Sequence, residues 1–213
     1  MVHSSRSTAR ATPCGLANGP TDRAMATSAR VAITSTQHLP GFNSPGVGFE
    51  QPFAMLEACH ERVLRTLGLL GRLREHVRSN GVDDNARQAA RDVLRYFDIA
   101  APLHHQDEEL HVFPLLLAQG APDVRVLVQQ LQCDHVQMTT DWAFARQGLL
   151  AMMDGTVTAI SADDEAAFNR FAQRYDAHIA AEEGLAYPAA VALLAPAALA
   201  DMGREMAARR GAR

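Results

Sequence analysis

From Glu50 onward, apolar residues recur every three or four positions and no window alternates with period two. Such a chain can only build helices and pack them on one another. In the first segment, Pro52 to about Val77, the stripe runs through Phe53, Leu56, Cys59, Val63, Leu67, Leu70 and Leu73 and stops at Ser79-Asn80-Gly81. A second segment starts after the N-cap pair Asp83-Asp84 and reaches Gly120, with prolines at 102 and 114. The third runs from Pro122-Asp123 to Asp154-Gly155; the fourth, capped by Ser161, runs from about Ala162 to Leu194. A short fifth, about 197–208, follows Pro196. Long helices joined by turns of two to seven residues run antiparallel to their neighbours. The expected fold is therefore all-α: an up-down-up-down four-helix bundle with a short fifth C-terminal helix. Each long helix would be roughly 40 to 50 Å.

Residues 1–49 have a different character, rich in Ser, Thr, Ala, Gly and Pro, with no helical or strand period. They read as a disordered N-terminal leader ahead of a bundle domain at 50–213, with Met25 as a candidate true start. The leader holds four arginines and one acid, so the modest overall charge of −4 conceals a net −7 from residue 50 on. That acidity argues against nucleic acid as a partner. All twenty basic residues are arginine, which excludes Schiff-base, P-loop and general-base lysines. The longest uncharged run, Gly184 to Ala200, is broken by Pro188 and Pro196 and reads as a buried helix end, not a membrane span. Cys14, Cys59 and Cys133 are widely spaced without a C-x-x-C pair. They are expected as free thiols in a reducing compartment, which places the protein in the cytoplasm.

Aligning the second and fourth segments on their prolines exposes a repeat. His104-His105-Gln106-Asp107-Glu108-Glu109-Leu110-His111-Val112-Phe113-Pro114 and His178-Ile179-Ala180-Ala181-Glu182-Glu183-Gly184-Leu185-Ala186-Tyr187-Pro188 both spell H-x-x-x-E-E-x-x-x-aromatic-Pro. His60 precedes His104 by 44 residues, His135 precedes His178 by 43, and each lone histidine lies four residues after a leucine, Leu56 or Leu131. Two related hairpins in tandem thus contribute one histidine from each first helix and an H-x-x-x-E pair from each second. Residues i and i+4 differ by only about 40° around a helix, so imidazole and carboxylate can reach a common point on the bundle axis. Mixed imidazole and carboxylate donors suit iron, zinc or manganese, whereas calcium and magnesium prefer oxygen alone.

This arrangement, spanning about residues 52 to 194, resembles the hemerythrin-like, or HHE cation-binding, family. The resemblance implies a four-helix bundle holding two non-haem irons, with a bridging oxo or hydroxo group. Carried over residue by residue, it implies His60, His104, His135 and His178 as terminal ligands and Glu108 and Glu182 as bridges. His60 and His104 would serve one iron, His135 and His178 the other. Oxygen-carrying hemerythrins have H-x-x-x-H on the third helix, but here the position four after His135 is Thr139. That departure leaves one iron short of an imidazole and argues against reversible oxygen transport.

The resulting expectation is a cytoplasmic di-iron protein that binds dioxygen or a related small ligand, in sensing, redox or iron handling, rather than a dedicated enzyme. As a sensor it would need a separate signalling partner. The alternatives are a di-iron enzyme acting on peroxide or nitric oxide, an iron-centre repair factor, and a zinc-loaded structural bundle. A metal-free polar core is disfavoured, because burying six such groups without a cation leaves charges uncompensated. His3 and His38 lie in the leader, and His76 is rotated about 160° from His60 on its helix. His105 is set aside because its counterpart is Ile179, and His111, opposite Leu185, reads as a lining residue. Met138, Trp142, Phe171 and Tyr175 are expected to wall the site with apolar surface. Glu108→Ala and Glu182→Ala should lose metal, whereas Glu109→Ala should be mild.

Overall fold

The computed structural model describes residues 47–212. The leader expectation, with Met25, His3, His38 and Cys14, lies outside the described residues except for 47–49. Among the described residues there are helices and no strand, an all-α bundle of four long rods with a shorter helix at the C-terminal end.

The first rod is α1 (Pro52–Asn80). The second is nearly continuous helix: α2 (Asp84–Arg95), a π-helical turn at Tyr96–Ala100, α3 (Ala101–Asp107), a second π-helical turn at Glu108–Val112, and α4 (Phe113–Gln119). The third is α5 (Pro122–Met153). The fourth comprises α6 (Ala162–Ala172), α7 (Tyr175–Ala181), a third π-helical turn at Glu182–Ala186, and α8 (Tyr187–Leu193). Helix α9 (Pro196–Arg209) closes the chain. Start signals in the sequence act as expected. Asp83 accepts a hydrogen bond from the backbone N–H of Ala86, and Ser161 with Asp164 forms a reciprocal capping box. Gly81 and Gly155 end α1 and α5 at φ of 75° and 70°, backbone that side chains with a Cβ rarely adopt. These two turns meet where the Val82 N–H donates to Thr158 O at 3.1 Å.

Side-chain contacts give the direction of each rod. Residue 98 pairs with 146 and residue 109 with 132, so the second and third rods are antiparallel. The same reversal joins the third and fourth through 141 with 174 and 134 with 178. It joins the first and fourth through 74 with 169 and 60 with 183, and the first and second through 76 with 83 and 59 with 96. Among the described residues no helix is long and apolar enough to cross a membrane.

The interior has two apolar clusters. One surrounds Val63, Leu70, Phe97, Leu149 and Phe168; the other surrounds Leu56, Phe113, Leu116, Leu131 and Tyr187. On every rod the candidate histidines and glutamates fall at the boundary of the two clusters, with His178 one residue before Ile179 of the first. A polar layer therefore crosses the core between the two apolar clusters.

The prolines explain the π-helical turns. Pro102, Pro114 and Pro188 each stand second in the helix that follows such a turn. A proline inside a helix lacks the N–H and clashes with the carbonyl four residues back. Widening the preceding turn relieves this: the N–H groups of Ala101, Phe113 and Tyr187 reach back five residues, to Tyr96, Glu108 and Glu182. In a regular helix residues five apart would diverge by about 140°. The wider turn lets Glu108 and Phe113, and likewise Glu182 and Tyr187, face inward together, all four at most 2% exposed.

Helix α9 inserts Met202 and Met206 into the second cluster and carries a buried ion network. Asp107 is fully buried; Arg209 Nε and Nη2 donate to its Oδ1 at 3.0 and 2.6 Å, and Arg210 Nη2 donates to its Oδ2 at 2.6 Å. Cys59 is a free, buried thiol. Removing Asp107 would leave two guanidinium groups partly buried without their counter-ion. Asp107→Ala should therefore cost about 3 to 5 kcal/mol in urea unfolding at fixed metal content.

Candidate metal centre

All six residues singled out for metal binding converge in the polar layer. His60 comes from α1, His104 from α3, His135 from α5 and His178 from α7; Glu108 and Glu182 open the second and third π-helical turns. All are at most 6% exposed, and both glutamates are fully buried. His60, His104, Glu108 and Glu182 offer ligand atoms within 4.8 Å of one another, as do His135, His178 and Glu182. Either group could hold a metal ion.

The two carboxylates lie between the groups. Glu182 reaches His60 Nε2 at 3.2 Å, His178 Nε2 at 3.0 Å and His135 Nε2 at 3.8 Å. Glu108 reaches His104 Nε2 at 3.4 Å, His135 Nε2 at 3.5 Å and His60 Nε2 at 4.0 Å. Yet Glu108 Oε2, both Glu182 oxygens and His104 Nδ1 are buried without a hydrogen-bond partner among the described residues. Buried polar atoms are rarely left so, and a cation would satisfy these carboxylate lone pairs.

The electrostatics agree. Burial, and then the neighbouring Glu182 carboxylate, push the Glu108 carboxyl well above the usual range. Burial holds His104 well below its usual value, helped by His60, and lowers His135 to about 2, helped by His105 and His178. Both are thereby kept neutral, the form that ligates metals. His178 behaves differently: burial opposes its protonation, but Asp134 and Glu182 raise it to about 9.

The outer nitrogens reveal supports that the sequence reading missed. Glu183 Oε1 lies 2.9 Å from His60 Nδ1, and Glu109 Oε1 lies 3.0 Å from His135 Nδ1. Each carboxylate accepts the outer N–H, leaving Nε2 free to face the centre. The second glutamate of each E-E pair thus orients the lone histidine of the other hairpin. The aromatic residues of the two strings do the same. Tyr187 stacks on His60 (5.7 Å, 7°), and Phe113 stacks on His135 (5.4 Å, 28°). The Tyr187 hydroxyl also donates to Glu108 Oε1. Asp134 Oδ2 lies 3.4 Å from His178 Nδ1. Its counterpart one residue before His60 is Cys59, and His104 Nδ1 has no such partner. The doubling of the glutamate in both strings was the available signal for Glu109 and Glu183.

The remaining described histidines are not among the ligand groups. His76 lies 3.0 Å from Asp83 at the helix turn. His105 stacks flat on His135, with ring centroids 4.0 Å apart and planes at 12°. His111 Nε2 accepts from Arg209 Nη2 at 2.7 Å and lies 3.5 Å from Glu205, so it belongs to the α9 network. Met138, Phe171 and Tyr175 are buried as expected. With Trp142 they line a cavity of about 330 Å³ that also touches His135 and Thr139.

Four antiparallel helices that bury four imidazoles and two carboxylates in one layer define a metal-binding helical bundle. The family model of the hemerythrin HHE cation binding domain matches residues 51–204, and the chain belongs to that family. It is also 33% identical, over 163 residues, to an uncharacterized protein of Haemophilus influenzae; the match covers 76% of this chain and 91% of the other.

The geometry gives Glu109 a larger part than its sequence position suggested. Glu109→Ala and Glu183→Ala should each weaken metal binding about 10- to 100-fold, whereas Glu108→Ala and Glu182→Ala should abolish it, read by metal content after dialysis against a competing chelator. Full metal retention by Glu109→Ala and Glu183→Ala would refute the supporting role.

Proposed function

We propose that the chain holds two non-haem irons and binds dioxygen or a related small ligand in the cytoplasm. One observation carries the reading: Glu108 and Glu182 each lie within 4 Å of histidine nitrogens from both hairpins. Carboxylates so placed fit a pair of metals that share them, with His60 and His104 on one and His135 and His178 on the other. The mixed imidazole and carboxylate set favours iron over calcium or magnesium. When bound, the irons would supply reversible one-electron chemistry and an affinity for small electron-accepting ligands.

The chain's own residues do the rest. With Glu108 and Glu182 as the only carboxylates in the two ligand groups, a pair of divalent ions would keep a net positive charge and would favour small anionic or electron-accepting ligands. Glu109, Glu183 and Asp134 fix the imidazoles, and the apolar clusters on both sides exclude bulk water. Tyr187 holds a proton against Glu108 Oε1. Thr139, where a fifth histidine would stand, gives its hydroxyl to the His135 carbonyl at 2.9 Å and offers no replacement imidazole. That gap leaves room for an external ligand on the His135 side. A second reading, turnover of peroxide or nitric oxide or repair of iron centres, draws on the same gap.

Protein purified without oxygen should contain about two irons per chain, matching the two groups of ligand atoms, and its near-ultraviolet spectrum should change on exposure to air. One zinc per chain with no spectral response would overturn the proposal. Stopped-flow mixing with dioxygen, peroxide and nitric oxide then separates reversible binding from turnover.

A further inference from the structure

We propose that the cavity beside His135 is a binding site for a small neutral hydroxylated aromatic molecule, of the phenol class. The cavity borders the ligand groups at His135, and the other residues that line it belong to neither group. At about 330 Å³ it is larger than a diatomic gas requires. At the packing density of a protein interior it accommodates a molecule of about ten to fifteen non-hydrogen atoms.

Its walls select flat rings. Phe97, Trp142 and Phe171 pack mutually with centroids 4.8 to 5.2 Å apart, and Trp142 is held by donating its Nε1–H to Asp98 at 2.9 Å. Such fixed faces favour stacked or edge-on aromatic ligands over flexible chains.

Its polar groups select a hydroxyl. Tyr175 is 3% exposed and lines the cavity, yet its hydroxyl has no hydrogen-bond partner among the described residues. His105 also lines it, and its ring nitrogens likewise have none. A phenol and an imidazole can each donate or accept, so either can bond a ligand hydroxyl. A carboxylate fits poorly, because no arginine lines the cavity and Glu109 does. Entry is open, since Gln106, Val136 and Thr139 on its lining are exposed.

Trp142 is the chain's single tryptophan, so its emission reports occupancy directly. The full chain, metal-loaded and metal-free, is titrated with phenol, toluene, benzoate and cyclohexanol. Phenol should give a saturable change in emission and bind tightest. Tyr175→Phe should weaken phenol by about fivefold to tenfold, the worth of one neutral hydrogen bond, and leave toluene unchanged. Thr139→Phe, which fills an exposed edge, should abolish the response while circular dichroism shows an intact helical fold. The proposal is overturned if phenol gives no saturable change, if benzoate or cyclohexanol binds as well, or if neither substitution alters phenol binding. Metal content, measured separately, keeps this outcome distinct from that of the iron proposal.

Discussion

Two carboxylates buried side by side in a dry core are the constraint around which the molecule is organised. Glu108 and Glu182 are fully buried, apolar clusters lie on both sides of them, and three of their four oxygens lack a hydrogen bond among the described residues. Removing an ion from water costs several kcal/mol even after relaxation, and a second like charge adds repulsion. Tyr187 relieves one oxygen of Glu108, and His178, with its raised proton affinity, partly balances Glu182. His104 and His135 do not help in that way, because burial keeps them uncharged. A layer that gathers negative charge and neutral nitrogen lone pairs is a poor core by itself and a good cage for cations.

The bundle topology and this layer depend on each other. Each string supports the lone histidine of the opposite hairpin twice: Glu109 and Phe113 hold His135, and Glu183 and Tyr187 hold His60. A single hairpin therefore cannot present an oriented set of imidazoles. The same strings carry the prolines that widen the helix at Glu108 and Glu182. Without the wider turn, glutamate and aromatic would diverge around the helix, and one of them would leave the interior. The proline serves the site through the backbone, at a distance from any ligand atom.

What was legible in the sequence follows from which relations are periodic. The 3.6-residue stripe and the caps at Asp83 and Ser161 located the rods to within a few residues. The proline alignment gave the register that brings His104 with Glu108 and His178 with Glu182 into one layer. Relations without a period stayed hidden. Arg209 lies 102 residues from Asp107, and nothing local to either says that they meet. The part played by Tyr187 requires knowing that His60 and Glu108 both face it across the bundle. Glu109 was underrated because, in a regular helix, adjacent residues point about 100° apart. It is the inter-helical groove, not its own helix, that returns it to His135.

The pseudo-two-fold symmetry fails in a consistent direction. Asp134 braces His178, while Cys59, at the equivalent position of the first hairpin, gives His104 no carboxylate. Tyr187 brings a hydroxyl to Glu108 beside His60, whereas Phe113 brings none to the His135 side. His105 stacks on His135 at the cavity wall, where its counterpart Ile179 is packed into the apolar core. Thr139 opens onto the cavity, while Leu64, four residues after His60, lies outside it. The His60 half is thus closed by aromatic and polar contacts, and the His135 half borders open, aromatic-lined space. Duplication would produce two equal halves, and these substitutions make them unequal. One half is suited to retaining a cation and the other to meeting whatever enters.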